Sequence, residues 1–337
     1  MDLDFFFPLS IIYNTIRTWV RPGQPCAPVL PARRRCHSLE PLLFIYNPTA
    51  GKGQIVSELS PVLDVFTKSG WLVTVYPTQC KGDATQAARI LAPGFQRVIC
   101  AGGDGTLSET VAGLMELEHP PILGYIPFGS TNDCATTLDL PRKPRQAAAV
   151  AAGEGVPLPS DIGKLNGRSF VYVAAFGAFT KVSYATPQDL KNTFGHVAYI
   201  LEGIASLPTI APYHLKVEYD GRTLEDDFYF GMVSNAVTVG SFKLPQSSSV
   251  VLDDGLFEVT LVKKPVSLSD VANGFQALLS QTAGGSGALV HFQTPRVVFT
   301  CDQPIPWTLD GEFGGDQQVC VVENCRQALT IVRGIEK

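Results

Sequence analysis

An apolar run, Arg97-Val98-Ile99-Cys100-Ala101, stops in Gly102-Gly103-Asp104-Gly105-Thr106 and gives way to a helical pattern over 107–117. A strand that ends in glycines and feeds a helix leaves the chain few options. The backbone must turn tightly beneath the strand end, and the positive end of the helix dipole then faces the turn. Such a turn is a phosphate cradle, because missing Cβ atoms let a polyphosphate approach the amides. Asp104 within it is too acidic to face phosphates alone, which implies a bridging Mg²⁺ or an ordered water. The stretch points to a nucleoside triphosphate as ligand.

The same order recurs around it. Residues 42–46 read as a buried strand, 54–68 as a helix, 71–76 as a strand, 83–91 as a helix and 122–126 as another strand. Strands alternating with helices predict a parallel sheet whose ligands gather at the carboxyl ends of the strands. Those ends carry Asn47-Pro48, Pro77-Thr78, Gly102-Gly103 and Pro127-Phe128-Gly129. After about residue 157, Val-, Phe- and Tyr-rich runs recur at 169–175, 214–219, 227–234, 256–262, 296–300 and 318–322. Asp220-Gly221, Asp253-Asp254-Gly255 and Gly284-Gly285 separate them as turns, and a helical insertion falls near 190–207. The expected fold is α/β. A Rossmann-like nucleotide-binding domain spans 41–157, with 326–337 returning to it, and an antiparallel β-sandwich-like domain spans 158–325 across an interdomain cleft.

Composition narrows the partners. The 337 residues suffice for two ordinary domains, and 45% hydrophobic with 17% charged residues describes a packed protein. A net charge of -5 argues against broad nucleic-acid binding, which needs a basic face. The eight cysteines form no C-x-x-C pair and read as thiols in a reducing compartment. No run is long and apolar enough to span a bilayer. Residues 1–40 read as an extension. Phe6, Leu9, Ile12, Tyr13, Ile16 and Val20 share one helical face, and Arg33-Arg34-Arg35 follow a Pro-rich linker. This pattern fits an interfacial amphipathic helix, a helix packed on its own protein, or an extension without fixed order. Asp2 and Asp4 argue against a secretory signal.

Two further constellations accompany the first. Asn47-Pro48-Thr49-Ala50-Gly51-Lys52-Gly53 resembles a phosphate loop but lacks P-loop spacing, and alone it is equally an ordinary turn. Ile126-Pro127-Phe128-Gly129-Ser130-Thr131-Asn132-Asp133 is again strand, glycine turn and helix. Ser130 and Thr131 can donate to phosphate, while Asn132 and Asp133 suit a helix cap, a role compatible with metal binding by Asp133.

Together with the late Leu309-Asp310-Gly311-Glu312, these motifs resemble the diacylglycerol kinase catalytic family. The likeness runs from about Leu42 to the end, and Val182-Ser183-Tyr184-Ala185-Thr186-Pro187 and Asp253-Asp254-Gly255 bring it nearest the soluble enzymes of Gram-positive bacteria. The resemblance implies that ATP is held by Asn47, Pro48, Thr49, Ala50, Gly51, Thr78, Gly102, Gly103, Asp104, Gly105, Thr106, Leu107, Ser108 and Glu109. Ser130 stands where many relatives carry threonine and keeps the hydroxyl for phosphate. Asp104, Asp133 and Asp161 match the acids that organise an active-site Mg²⁺ and its waters, and Asp310 and Glu312 match the pair proposed to take the proton from the lipid hydroxyl. The Asp254 loop resembles a structural Mg²⁺ site completed by the carbonyls of Val251 and Leu256. These roles suit phosphoryl transfer, which needs positioning, charge neutralisation and a base near the attacking hydroxyl.

The implied activity is transfer of the γ-phosphoryl group of ATP to a lipid hydroxyl, with diacylglycerol first and phosphatidylglycerol or a sphingoid base as alternatives. The implied setting is cytoplasmic and peripheral to the membrane, with a lipid substrate at its surface, no nucleic acid, and a homodimer as one assembly open to it. An NAD kinase shares the glycine motif, and a nucleotide-responsive membrane-binding protein without catalysis is a reading from another class. Local alternatives remain as well. Asp310-Gly311 and Asp253-Asp254-Gly255 are good turns, Asp161 can pair with Lys164 at a strand start, Lys52 suits a solvated loop, and His196 and His214 lack a partner pattern.

Overall fold

Leu42, Leu43, Phe44 and Ile45 are all buried, so strand β1 (Glu40–Tyr46) has no solvent face. A continuous apolar run of this kind belongs at the centre of a parallel sheet covered on both sides. The computed structural model describes residues 39–177, 211–240, 242–243, 250–264 and 289–335. The expected amphipathic helix, the insertion near 190–207, the 182–187 motif, His196 and the Gly284-Gly285 turn lie outside those residues.

After β1 come α1 (Gln54–Lys68), β2 (Trp71–Pro77), α2 (Asp83–Leu91), β3 (Arg97–Gly102), α3 (Asp104–Leu114), β4 (Ile122–Pro127), α4 (Asp133–Thr137) and α5 (Pro144–Ala149). The four strands pair in parallel in the order β2-β1-β3-β4. On one face, Ile55, Val62 and Phe66 of α1 and Ala147 and Ala148 of α5 cover Leu42, Phe44, Ile99 and Ile126. On the other, Ala84, Ala87 and Ala88 of α2 and Leu107, Val111 and Leu114 of α3 cover Leu43, Ile45, Val98 and Cys100. Burying a large aliphatic or aromatic side chain in such a layer contributes about 1.5–3 kcal/mol. The chain leaves β1 toward β2 on one side and continues to β3 on the other. The order of strands therefore reverses at β1, where open α/β sheets bind ligands.

The glycine motif differs from expectation in one respect. Helix α3 begins at Asp104, three residues before the expected start at Leu107, because Gly103 is extended and its carbonyl already accepts from the amides of Thr106 and Leu107. Gly102 thus ends β3, Gly103 caps the helix, and Asp104-Gly105-Thr106 form its first turn.

The second half is antiparallel: β5 (Val156–Leu165), β6 (Arg168–Phe170), β7 (Val173–Gly177), β8 (Tyr213–Tyr219), β9 (Arg222–Ser234), the short β10 (Thr238–Val239) and β11 (Phe242–Lys243), β12 (Phe257–Lys263), β13 (Leu289–Thr294), β14 (Arg296–Leu309) and β15 (Glu312–Arg333). Asn166-Gly167, Asp220-Gly221 and Asp310-Gly311 each join two strands with both residues at positive φ, the two-residue hairpin geometry that matches strand twist. Phe170, Phe176, Phe228, Phe257, Phe299 and Trp307 fill the core beneath these strands.

Strand β15 pairs with β14 near its start, and its Ile331 pairs in parallel with Leu123 of β4. Among the described residues the parallel and antiparallel strands thereby join one hydrogen-bonded path, β13-β12-β9-β7-β14-β15-β4-β3-β1-β2. The six described cysteines are all free, and no helix among the described residues is long and apolar enough to cross a membrane.

Candidate functional site

Three loops leave the carboxyl ends of β1, β3 and β4 side by side. The Asn47 amide donates to the Ala101 carbonyl, and the Phe128 amide to that of Gly102, which ties each loop to the next strand. The Asn47 carboxamide folds over its own turn, accepting from the Thr49 amide at 3.0 Å and the Thr49 hydroxyl at 2.8 Å. Asn132 does the same in the third loop, accepting from the Gly129 amide at 2.8 Å. At Gly103 and Gly129 the second and third loops approach each other through backbone. A Cβ on Gly129 would lie 2.8 Å from the Gly103 Cα and 2.7 Å from Asn132 Oδ1, so no other residue fits there without displacing a loop. The fourth loop, after β2, is fixed by Asp83, which accepts from Tyr76 Oη and the Gln79 amide. Glu109 on α3 reaches across to take the Gly82 amide at 2.8 Å.

A cleft of about 860 Å³ opens over these loops. Asn47, Thr49, Ala50, Thr78, Gly103, Gly105, Thr106, Ser108, Glu109 and Gly129 line one side, and Lys164, Arg168, Leu309 and Glu312 come from the antiparallel strands opposite. Most of the residues expected to hold a nucleotide are therefore brought together. Pro48, Gly51, Gly102, Asp104, Leu107 and Ser130 are not among the lining residues, and Leu107 departs furthest from expectation. Its side chain is wholly buried in the core, leaving only a backbone amide already bonded to Gly103. Ser108 turns its hydroxyl to Asp310, and Ser130 stands exposed within the third loop.

The carboxylates separate into three environments. Asp104 accepts only long bonds, from the amides of Asp133 at 3.3 Å and Cys134 at 3.4 Å. Burial, then the charge of Asp133, push its carboxyl up to about 6. Asp133 does not cap α4 with its side chain as expected; its carboxylate accepts from the Gly240 amide at 2.6 Å, and Asn132 folds back to Gly129. Asp310 is buried within the hairpin turn. It accepts from the amides of Val171, Tyr172 and Val173 at 2.7, 3.0 and 3.2 Å and from Ser108 Oγ at 2.8 Å. Burial raises the Asp310 carboxyl above its ordinary value, and the four donors oppose that shift. Glu312 is instead exposed at the cleft mouth, 2.6 Å from Lys81 Nζ.

Asp161 is not brought to the cleft lining. Its oxygens accept from the amides of Gly255 and Gln327, both at 2.7 Å, and from Asn324 Nδ2 at 3.2 Å, with no pairing to Lys164. It stitches the 253–256 turn to an irregular stretch of β15, and Asp161→Ala should lower stability by about 2 kcal/mol in a denaturant titration, since it orphans one buried and one part-buried amide. In that turn Asp254 Oδ1 accepts from the Leu256 amide, and the Leu256 carbonyl accepts from Asn324 Nδ2.

No group of three or more His, Cys, Asp or Glu side chains at metal-holding spacing occurs among the described residues. Asp104 nevertheless fits a cation. It is half-buried beside a second carboxylate with two long amide bonds and no cationic partner in the bonds it makes, and such oxygen donors suit Mg²⁺ completed by phosphate and water. Lys81, Lys164 and Arg168 were not anticipated. Lys81 carried one legible signal, as a cation in a loop following a strand's carboxyl end.

Residues 41–165 match the model of the diacylglycerol kinase catalytic domain. The diacylglycerol kinase of Bacillus subtilis is 37% identical over 274 residues, covering 81% of this chain and 89% of that protein. The chain belongs to the diacylglycerol kinase family. The diacylglycerol kinases of Staphylococcus aureus and Staphylococcus carnosus are 35% and 33% identical, each across 81% of this chain. A crystal structure of a diacylglycerol kinase from Bacillus anthracis superposes with a TM-score of 0.70 at 23% identity, covering 88% of this chain and 98% of that one. This member of the family thus shares their mixed α/β, strand-rich fold.

Proposed function

We propose that this kinase-family chain transfers the γ-phosphoryl group of ATP to the hydroxyl of diacylglycerol, giving phosphatidic acid. One observation carries the reading: the loops after β1, β3 and β4 meet at one cleft, with Asp104 beneath it and Glu312 opposite. The nucleotide lies on a Rossmann-like layer formed by 41–157 and completed by 326–337, and the acceptor on residues 158–325 across the cleft. Amides at Gly103 and Gly105, at the first turn of α3, receive the phosphates, and the glycine at 129 permits close approach beside them.

Asp104 and Asp133 would hold Mg²⁺, which when bound neutralises phosphate charge. Glu312, exposed and facing the cleft, accepts the proton of the attacking hydroxyl. Asp310 acts through position: its bonds to 171–173 and Ser108 fix the hairpin that carries Glu312. Asp161 supports the Asp254 turn, where Asp254 and the carbonyls of Val251 and Leu256 are proposed to hold a second, structural cation. A lipid acceptor requires that the enzyme work peripherally at a membrane surface, on the cytoplasmic side where ATP is available.

The test is incubation with γ-labelled ATP, Mg²⁺ and phosphatidylcholine vesicles carrying diacylglycerol, phosphatidylglycerol or sphingosine, beside soluble NAD. Labelled phosphatidic acid that disappears with EDTA supports the reading. Label entering NAD alone contradicts it.

A further inference from the structure

Lys81 and Glu312 form an ion pair across the cleft, 2.6 Å long, with side chains 78% and 56% exposed. Lys81 belongs to the loop after β2 and Glu312 to the first position of β15, so the pair closes a gap between two walls that no short-range constraint requires. An exposed pair of this kind contributes about 0–1 kcal/mol, too little to be a structural fastening and weak enough to yield to a stronger anion. Glu312 Oε1 also lies 3.9 Å from where a Cβ on Gly105 would stand. The carboxylate therefore reaches over the first turn of α3, whose unbonded amides attract negative charge. Lys81 thus holds a carboxylate at the edge of the place where phosphates belong.

We propose that Lys81 is a positioning residue that exchanges partners: it holds Glu312 over the empty cleft and moves to the terminal phosphate when nucleotide enters. This rests on the nucleotide and acceptor sites given above. A triphosphate offers Lys81 more negative charge than one carboxylate, so the exchange runs toward phosphate. Release of Glu312 then frees its carboxylate for the acceptor hydroxyl only once nucleotide is in place. The pair makes Glu312 a competitor of nucleotide, and that gives the proposal a sign which a plain phosphate contact lacks.

The experiment is calorimetric binding of a non-hydrolysable ATP analogue with Mg²⁺ to the full-length protein and to Glu312→Gln, Lys81→Met and Lys81→Arg, each also melted and assayed. Glu312→Gln should bind the analogue about fivefold more tightly than wild type although it turns over poorly, and Lys81→Met about fivefold more weakly. Lys81→Arg should restore both binding and KM for ATP. All three should melt with wild type, since a structural role would move the melting temperature instead. Unchanged or weaker binding by Glu312→Gln overturns the exchange while leaving the nucleotide site standing. Failure of wild type to bind the analogue at all overturns the nucleotide site itself and the exchange with it.

Discussion

Asp104→Asn is expected to stabilise the nucleotide-free protein and to abolish phosphoryl transfer. Burial and the neighbouring Asp133 push the Asp104 carboxyl up to about 6 in the fold, above the roughly 3.9 of an unfolded aspartate. A folded-state value above the unfolded one means that the native protein binds the proton more tightly. Stability is then greatest below about pH 4, falls as pH rises toward about 6, and stays lowered beyond it. Two units correspond to about 2.7 kcal/mol as an upper bound, which an uncharged amide would recover at pH 7.5. In thermal melts the variant should rise by about 3–6 °C at pH 7.5, and this gain should vanish near pH 4. Transfer to lipid should fall on the order of a thousandfold, the scale for removing a charge that positions transferring phosphate. A variant that melts below wild type at pH 7.5 and keeps its activity would show that Asp104 is an ordinary helix-start residue.

The neighbouring pair should split in the opposite way. Asp310→Ala removes the acceptor for the amides of Val171, Tyr172 and Val173 and for the Ser108 hydroxyl, which converge on its buried carboxylate. It also leaves alanine at a φ of 50°, where L side chains are strained. Unsatisfied buried donors cost about 1–3 kcal/mol each and are not additive, so a loss of about 4 kcal/mol is expected in a denaturant titration. Glu312→Gln, exposed and isosteric, should melt with wild type yet lose about 10²–10⁴ in turnover, the range for a general base. If Asp310→Ala is as stable as wild type, the turn does not depend on it, and the division between a positioning and a reacting carboxylate fails.

What the sequence revealed depended on how local the signal was. The bounds of α1 and α2 follow directly from apolar periodicity and flanking glycines, even with Pro61 inside α1. The buried runs of β1, β3 and β4 and the glycines after them are equally local, so the cradle was legible. β5 was not, because Pro157, Pro159 and Asp161 break any strand alternation; it forms by pairing along β15, more than 150 residues away. The single run expected at 169–175 divides into β6 and β7, because the intervening amides of Val171 and Tyr172 are taken by Asp310. Short runs at 296–300 and 318–322 proved to be parts of the long β14 and β15, whose register shifts between Thr300 and Ile305 to absorb Asp302, Gln303 and Pro304. Asp310 shows the limit most clearly. Its chemistry as a turn residue was readable, whereas its role as a hub depends on donors 137–202 residues distant. Asp161 and Lys81 are of the same kind, since their partners are set by topology alone.

On the proposed reading, phosphates settle on the loops at the carboxyl ends of β1, β3 and β4. Hydrogen–deuterium exchange with and without the Mg²⁺ complex of a non-hydrolysable ATP analogue measures this directly. Peptides covering 47–53, 102–109 and 128–133 should gain the greatest protection, and β13 and the β8–β9 turn none. Protection concentrated elsewhere, with those three loops exchanging as fast as in the free protein, would contradict the account.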